Sequence, residues 1–252
     1  NDFISSMYSY HFDKWISYLL LRPSYIMLAL KQALSLVSTR ALGGSWQPSD
    51  EAGLEAWYKN QTGITLSGSD VAIWADSSSN SFDMAQLTRT EQPAYNSGDV
   101  EFTPADSENL QTASDITLSS AFTIGIKLNI AAVGGIIIGD NTATGEFFKL
   151  FSTTVLRIKI DNATADVQLD SGVWGDGYMV VTRNASNVIK LFWNGAAQTT
   201  ATPTQSGTAN IDTIGVRKTD LNPYDGTISE IQIFRTESTA LTANVNTYLS
   251  NL

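Results

Sequence analysis

The chain has 252 residues and a formal charge of −10, with 42% hydrophobic and only 16% charged residues. That balance excludes a disordered chain, and an acidic surface argues against a nucleic acid partner, whose phosphates need clustered Lys and Arg. There is no cysteine, so disulfides, thiolate metal centres and cysteine nucleophiles are excluded.

Residues 1–45 carry a net +2, which leaves −12 for residues 46–252. The chain starts at Asn1, as a fragment or processed product does, and a true start at Met27 is an alternative reading. Residues 16–21 are apolar, but Arg22-Pro23 interrupts them; the stretch is too short for a membrane span and makes a poor signal peptide. Met27, Leu30, Leu34 and Val37 then recur at helical spacing, and Gly43-Gly44 closes the pattern. Residues 1–45 are therefore expected to be a short N-terminal arm with an amphipathic helix over 27–41. Such a helix either covers one end of the following domain or docks its apolar stripe on other proteins or a second copy of the chain.

From Trp46 onward, strand patterns dominate. Phe122, Ile124, Ile126 and Leu128 alternate with Thr123, Gly125, Lys127 and Asn129, the period-two signature of a half-buried strand. Leu156, Ile158 and Ile160 alternate with Arg157 and Lys159 in the same way. Strands over 179–183 and 188–193 flank the loop 184–187, and Asn194-Gly195 is a strong hairpin turn because both positions tolerate positive φ. Ile231 and Ile233 flank Gln232 in a late strand, and Val245, Tyr248, Leu249 and Leu252 predict a closing helical turn or two. No repeat or long linker interrupts residues 46–252, so a single all-β domain is expected, a two-sheet antiparallel sandwich.

Residues 53–95 are the most specific stretch. They hold Leu54-Glu55-Ala56-Trp57, then Asp70-Val71-Ala72-Ile73-Trp74-Ala75-Asp76-Ser77-Ser78-Ser79-Asn80, Gln86 and Pro93-Ala94-Tyr95. Later come Val100-Glu101-Phe102, Leu191-Phe192-Trp193-Asn194-Gly195 and Tyr224-Asp225-Gly226-Thr227-Ile228-Ser229-Glu230-Ile231. In this order the motifs resemble the concanavalin A-like lectin/glucanase superfamily of laminin G-like jelly rolls, over residues 53–252. Ser79 and Ser81 stand where that family has glycines. The arm and its junction are also similar to structural proteins of tailed phages of marine bacteria. Trp57, Trp74 and Trp193 are expected to fill the core between the two sheets.

For chemistry, the resemblance raises glycoside hydrolysis, which needs two facing carboxylates. Glu230 has no second acid two or five residues on, and Asp99 and Glu101 lack a third. The only histidine, His11, lies in the arm, so no Ser-His-Asp triad or histidine-rich zinc site forms in the domain. Asp76, Ser78, Asn80 and Asp83 place oxygens in one loop, a candidate calcium site; the alternative is that they brace the loop through Asx-turns. Asp140, Asn141, Thr142 and Glu146 form a second polar loop. Trp174, in a glycine-rich turn, and Tyr224 with Asn222 are candidate sugar-binding residues, with a buried structural role the alternative for Trp174.

The expected function is a non-catalytic, virion-associated structural protein carrying a lectin-like domain at the virion surface. Its partners would be other virion proteins or a second copy through the arm, and glycans through the domain. The alternatives are a secreted or cell-surface bacterial carbohydrate-binding module and, behind it, a glycoside hydrolase.

Overall fold

A computed structural model describes residues 45–141, 146–217 and 219–252; the arm and its helix over 27–41 lie outside the described residues. The unit Gln47–Leu252 is an all-β antiparallel sandwich with one short C-terminal helix. In chain order the strands are β1 (Leu54–Tyr58), β2 (Ile64–Ser67), β3 (Asp70–Trp74), β4 (Met84–Ala85), β5 (Ala94–Asn96), β6 (Asp99–Phe102), β7 (Leu110–Leu118) and β8 (Phe122–Ile130). They continue as β9 (Ile136–Gly139), β10 (Phe147–Leu150), β11 (Val155–Ile160), β12 (Ala163–Gln168), β13 (Asp176–Arg183), β14 (Ile189–Trp193), β15 (Ala196–Gln198), β16 (Ala209–Ile214) and β17 (Gly226–Phe234). The helix α1 (Thr239–Leu249) follows.

One layer runs β15–β14–β13–β8–β17, and the far edge of β17 is shared by β1 and β6. The other layer runs β12–β11–β10–β9–β16–β7–β4–β3–β2. β5 pairs with both β3 and β6 and joins the layers at one edge. The core lies between the layers: Ile124, Ile126 and Leu128 of β8 face Leu156, Ile158 and Ile160 of β11 and their neighbours. Their alternating partners point outward, as the period of two requires. Each such side chain, fully buried, contributes about 1.5–3 kcal/mol.

The outer face of the first layer is covered by α1, which is longer than the turn or two its sequence suggests. The Ser238 hydroxyl caps the helix by accepting from Leu241 N at 3.0 Å, and Leu241, Val245 and Leu249 are buried. Gly125 lets the helix approach: a Cβ there would stand 2.5 Å from a Val245 methyl. Trp57 is also found on this side. Ala56 and Tyr58 face the core, so Trp57 between them must face outward, where it packs edge-on against Tyr248 of α1. Trp74 fills the core as expected, and Trp193 packs against the core's rim.

Candidate functional site

The loop Asp76–Asp83 is closed on itself. Asp76 Oδ1 accepts from the backbone of Trp57 and Ser78, both at 2.8 Å, and Oδ2 from Ser78 Oγ at 2.6 Å and Phe82 N at 3.0 Å. Asp83 accepts from Asp76 N at 2.9 Å, and Asn80 donates to Glu55 O at 2.9 Å. These oxygens thus serve backbone N–H groups, pinning the loop to β1. A polar hollow of about 490 Å³ beside it is lined by Ser49, Glu51 and residues 77–79 and has no aromatic wall. Among the described residues, no group of three or more His, Asp or Glu side chains is placed together as a metal-binding cluster.

Glu230 is wholly buried beneath α1. Its carboxylate accepts from Trp57 Nε1 at 2.7 Å, Asn60 N at 3.0 Å and Gln232 Nε2 at 2.7 Å. Burial pushes its carboxyl above the ordinary range, and these donors, with the Tyr248 hydroxyl, oppose the rise. A substrate cannot reach it.

Trp174, Tyr224 and Asn222 lie in loops that meet at one end of the sandwich. Trp174 is 7% exposed, packs edge-on against Trp193 with centroids 5.2 Å apart, and donates from Nε1 to Ser152 O at 2.9 Å. Tyr224 is fully buried, and its hydroxyl donates to Asn129 O at 2.9 Å. Asn222 accepts from Arg217 Nε at 3.1 Å through its side chain and from Ile136 N at 2.9 Å through its carbonyl. All three hold loops together; neither ring offers a face to solvent.

The ring that does is Phe151, in the turn between β10 and β11. It is 48% exposed, the most open aromatic side chain among the described residues. The turn is rigid. Phe151 N donates to Val155 O at 2.9 Å, and Ser152 Oγ accepts from Val155 N at 3.1 Å. Trp174 N binds Thr153 O at 3.1 Å and Leu169 N binds Thr154 O at 2.9 Å. The Arg157 guanidinium lies 3.6 Å over one ring face and is itself fixed by a two-point pair to Asp166, at 2.8 and 2.9 Å. That pair holds the Asp166 carboxyl below its ordinary range. Phe151 is therefore backed on one side and open on the other, with exposed Val133 and Val173 on the adjoining loops.

The face extends along the outside of β10 and β11. Phe147 and Lys149 alternate with the core residues Phe148 and Leu150, and opposite them in register stand Lys159 and Arg157. Outward-pointing Arg157 and Lys159 were legible in the sequence as the partners of Leu156, Ile158 and Ile160. The alternation Phe147-x-Lys149-x-Phe151 carried the same information.

A laminin G family model of the concanavalin A-like lectin/glucanases superfamily matches residues 102–244, more than half of the chain. The chain belongs to that superfamily. Among solved structures, domain 4 of AbnA, a GH43 extracellular arabinanase from Geobacillus stearothermophilus in complex with arabinotriose, is 15% identical with a TM-score of 0.53. The match covers 78% of this chain and 99% of that one. The binding domain of Paraclostridial Mosquitocidal Protein 1 is 12% identical with a TM-score of 0.50, over 81% of this chain and 53% of that one. At such identities the likeness is one of fold. No curated protein matches the chain. Among the described residues, no helix is long and apolar enough to cross a membrane.

Proposed function

We propose that this domain is a non-catalytic glycan-binding module whose platform is Phe151 on the outer face of β10–β12. The observation that carries this reading is a ring with one face sealed by the Arg157–Asp166 pair and the other open to solvent. Such a ring stacks on the apolar face of a sugar without losing side-chain freedom at the moment of binding. The fold neighbour in complex with arabinotriose supports a saccharide ligand. The sealed Glu230 supports binding over hydrolysis, since an acid closed off by Trp57 and Tyr248 cannot protonate a glycosidic oxygen.

The test is a glycan array followed by calorimetry on the full chain. Phe151→Ala should weaken the bound glycan at least about tenfold, about 1.4 kcal/mol of lost ring contact, with the melting temperature unchanged. Undiminished binding by the folded variant, or release of reducing ends from the glycan, overturns the reading. Display of the module at a virion surface through residues 1–45 is a finer proposal resting on sequence likeness alone. Mass spectrometry of purified phage particles that lacked the chain would remove it.

A further inference from the structure

Resting on the glycan-binding reading, we infer that the ligand of this face is an acidic glycan, whose isolated carboxylate or sulfate-ester groups are met by Lys149 and Arg217 on the face that runs from the Phe147 ring to the Phe151 ring.

The placement follows from register. Lys149 is two residues before Phe151 on the outward side of β10, directly opposite Arg157. Arg217 reaches the same face from beyond β16. It lies against Gly139, where a Cβ would stand 3.3 Å from the Arg217 Cβ and 2.7 Å from Val216 O. Gly139 in turn pairs with Phe147, and the Arg217 guanidinium stands 5.3 Å from the centre of the Phe147 ring. The Lys159 amine stands 5.9 Å from that ring on the β11 side. Cations and rings thus alternate over one face of three neighbouring strands.

The charge on this face is not balanced from within. Residues 46–252 carry −12, yet the carboxylate paired here, Asp166, is taken by Arg157. Lys149 and Arg217 make none of the ion pairs found among the described residues. Burial, then the nearby Arg217 and Arg157 charges, pull the Lys149 amine below its ordinary range, as expected where positive charge is in local excess. An oxyanion between Lys149 and Arg217 relieves that excess. Arg217 uses Nε on Asn222, and its terminal nitrogens present a fork suited to a planar carboxylate or a sulfate edge.

A net-acidic domain selects the spacing of charge on its ligand. A nucleic acid duplex carries one charge per about 1.7 Å of axis, and most of it would run over acidic surface. Screening acts over about 8 Å at physiological salt, so a small basic face attracts a chain whose charges are isolated and whose intervening sugar stacks on Phe151.

The experiment titrates the full chain with oligogalacturonate, a sulfated galactan oligosaccharide, their carboxyl-reduced and desulfated counterparts, and oligothymidylate. At least one acidic form should bind, and removing its charges should weaken it about tenfold or more; which one binds identifies the carboxylate or the sulfate. Lys149→Gln should reproduce that loss with melting unchanged, and Arg217→Gln should reproduce it while the chain stays folded, its melting lowered only by the lost bond to Asn222. For the wild-type chain, affinity should fall as salt rises from about 0.05 M to about 0.5 M, a reading that needs no variant to fold. Equal binding of the neutral forms, or a flat salt series, overturns the inference and leaves the glycan-binding reading intact. Failure of every acidic form to bind, or tighter binding of oligothymidylate, overturns the inference, while the glycan-binding reading stands or falls separately on the glycan array.

Discussion

Arg183 ends β13 with its side chain wholly buried, and main-chain carbonyls hold it in place of a carboxylate. Nε donates to Ser120 O at 2.8 Å, Nη1 to Gly207 O at 2.9 Å and Nη2 to Leu118 O at 3.1 Å. Its guanidinium carbon stands 5.0 Å from the Phe122 ring centre, and burial pulls its pKa below the ordinary arginine range. The side chain ties the β7–β8 turn to the segment that enters β16, two stretches more than 80 residues apart in sequence. Shape alone cannot replace it, because Arg183→Met leaves the buried Leu118 carbonyl and the part-buried Ser120 and Gly207 carbonyls without this donor, each costing about 1–3 kcal/mol where water does not reach it. Urea unfolding should therefore show Arg183→Met destabilised by about 3 kcal/mol or more, with Arg183→Lys losing less, since one ammonium still reaches a carbonyl. A loss under about 1 kcal/mol, as at ordinary surface positions, would mean that water takes over these carbonyls.

Elements that obey a strict period were legible, and those decided by long-range contact were not. The alternation in β8 and β11 reports a sheet with one buried face, and both strands are found with Ile124, Ile126, Leu156 and Ile158 in the core. Asn194 and Gly195 take φ of 49° and 80° and close the β14–β15 hairpin, as their tolerance of positive φ predicts. The start of α1 was harder to read. Leu241 precedes Val245 and Leu249 by whole turns, but Thr239, Thr242 and Thr247 around them have weak helix propensity, and the packing on Gly125 that fixes the helix is remote. Trp57 shows the same limit, because a tryptophan at a strand centre reads as core until the register of Ala56 and Tyr58 assigns it to the other side. For the site, Trp174, Tyr224 and Asn222 mark loops that meet at the end of the sandwich where Phe151 stands. Which ring opens to solvent depends on how four loops stack, and sequence spacing does not contain that. The outward cations Arg157 and Lys159 of β11 were visible, whereas Lys149 of β10 went unread and Arg217 joins them only because Gly139 lets another segment cross the strand.

Across the whole molecule, acids outnumber bases, and several of the acids are buried away from any cation. Burial pushes Glu108 up from 4.5 to about 7, opposed by the Thr103 backbone N–H and aided by Asp106, Asp70 and Glu101. It pushes Asp212 up from 3.8 to about 6, against donation from Asn141 N at 2.7 Å and with Asp140 and Asp115 nearby. Glu146 is raised by burial and then by its hydrogen bond with Asp140, and Glu230 by burial beneath α1. None of the four belongs to an ion pair found among the described residues. Between its unfolded value and its raised folded one, each keeps a proton in the folded state that the unfolded chain has already released. Their stabilising effect is therefore complete below the unfolded values near 4 and is lost as pH rises through the folded ones, toward about 7. Asp170 works in the opposite sense. Donation from Thr200 and Thr199 holds it down at about 2, so its contribution is present above about 4 and fades as pH falls toward that value. Increasing negative charge adds self-repulsion in the same direction as the buried acids. The melting temperature should peak near pH 4, where the Asp170 contribution is complete and the buried acids are still protonated in both states, and fall by several degrees by pH 8, at about 2–4 °C per kcal/mol for a domain of this size. Asp212→Asn should flatten the part of that slope between about pH 4 and pH 6 while leaving the decline from pH 6 to pH 7, which belongs to Glu108. A melting temperature that rises from pH 5 to pH 8 would show that these carboxyls are ionised in the folded protein, with water or counterions reaching them through the loops around Asn141.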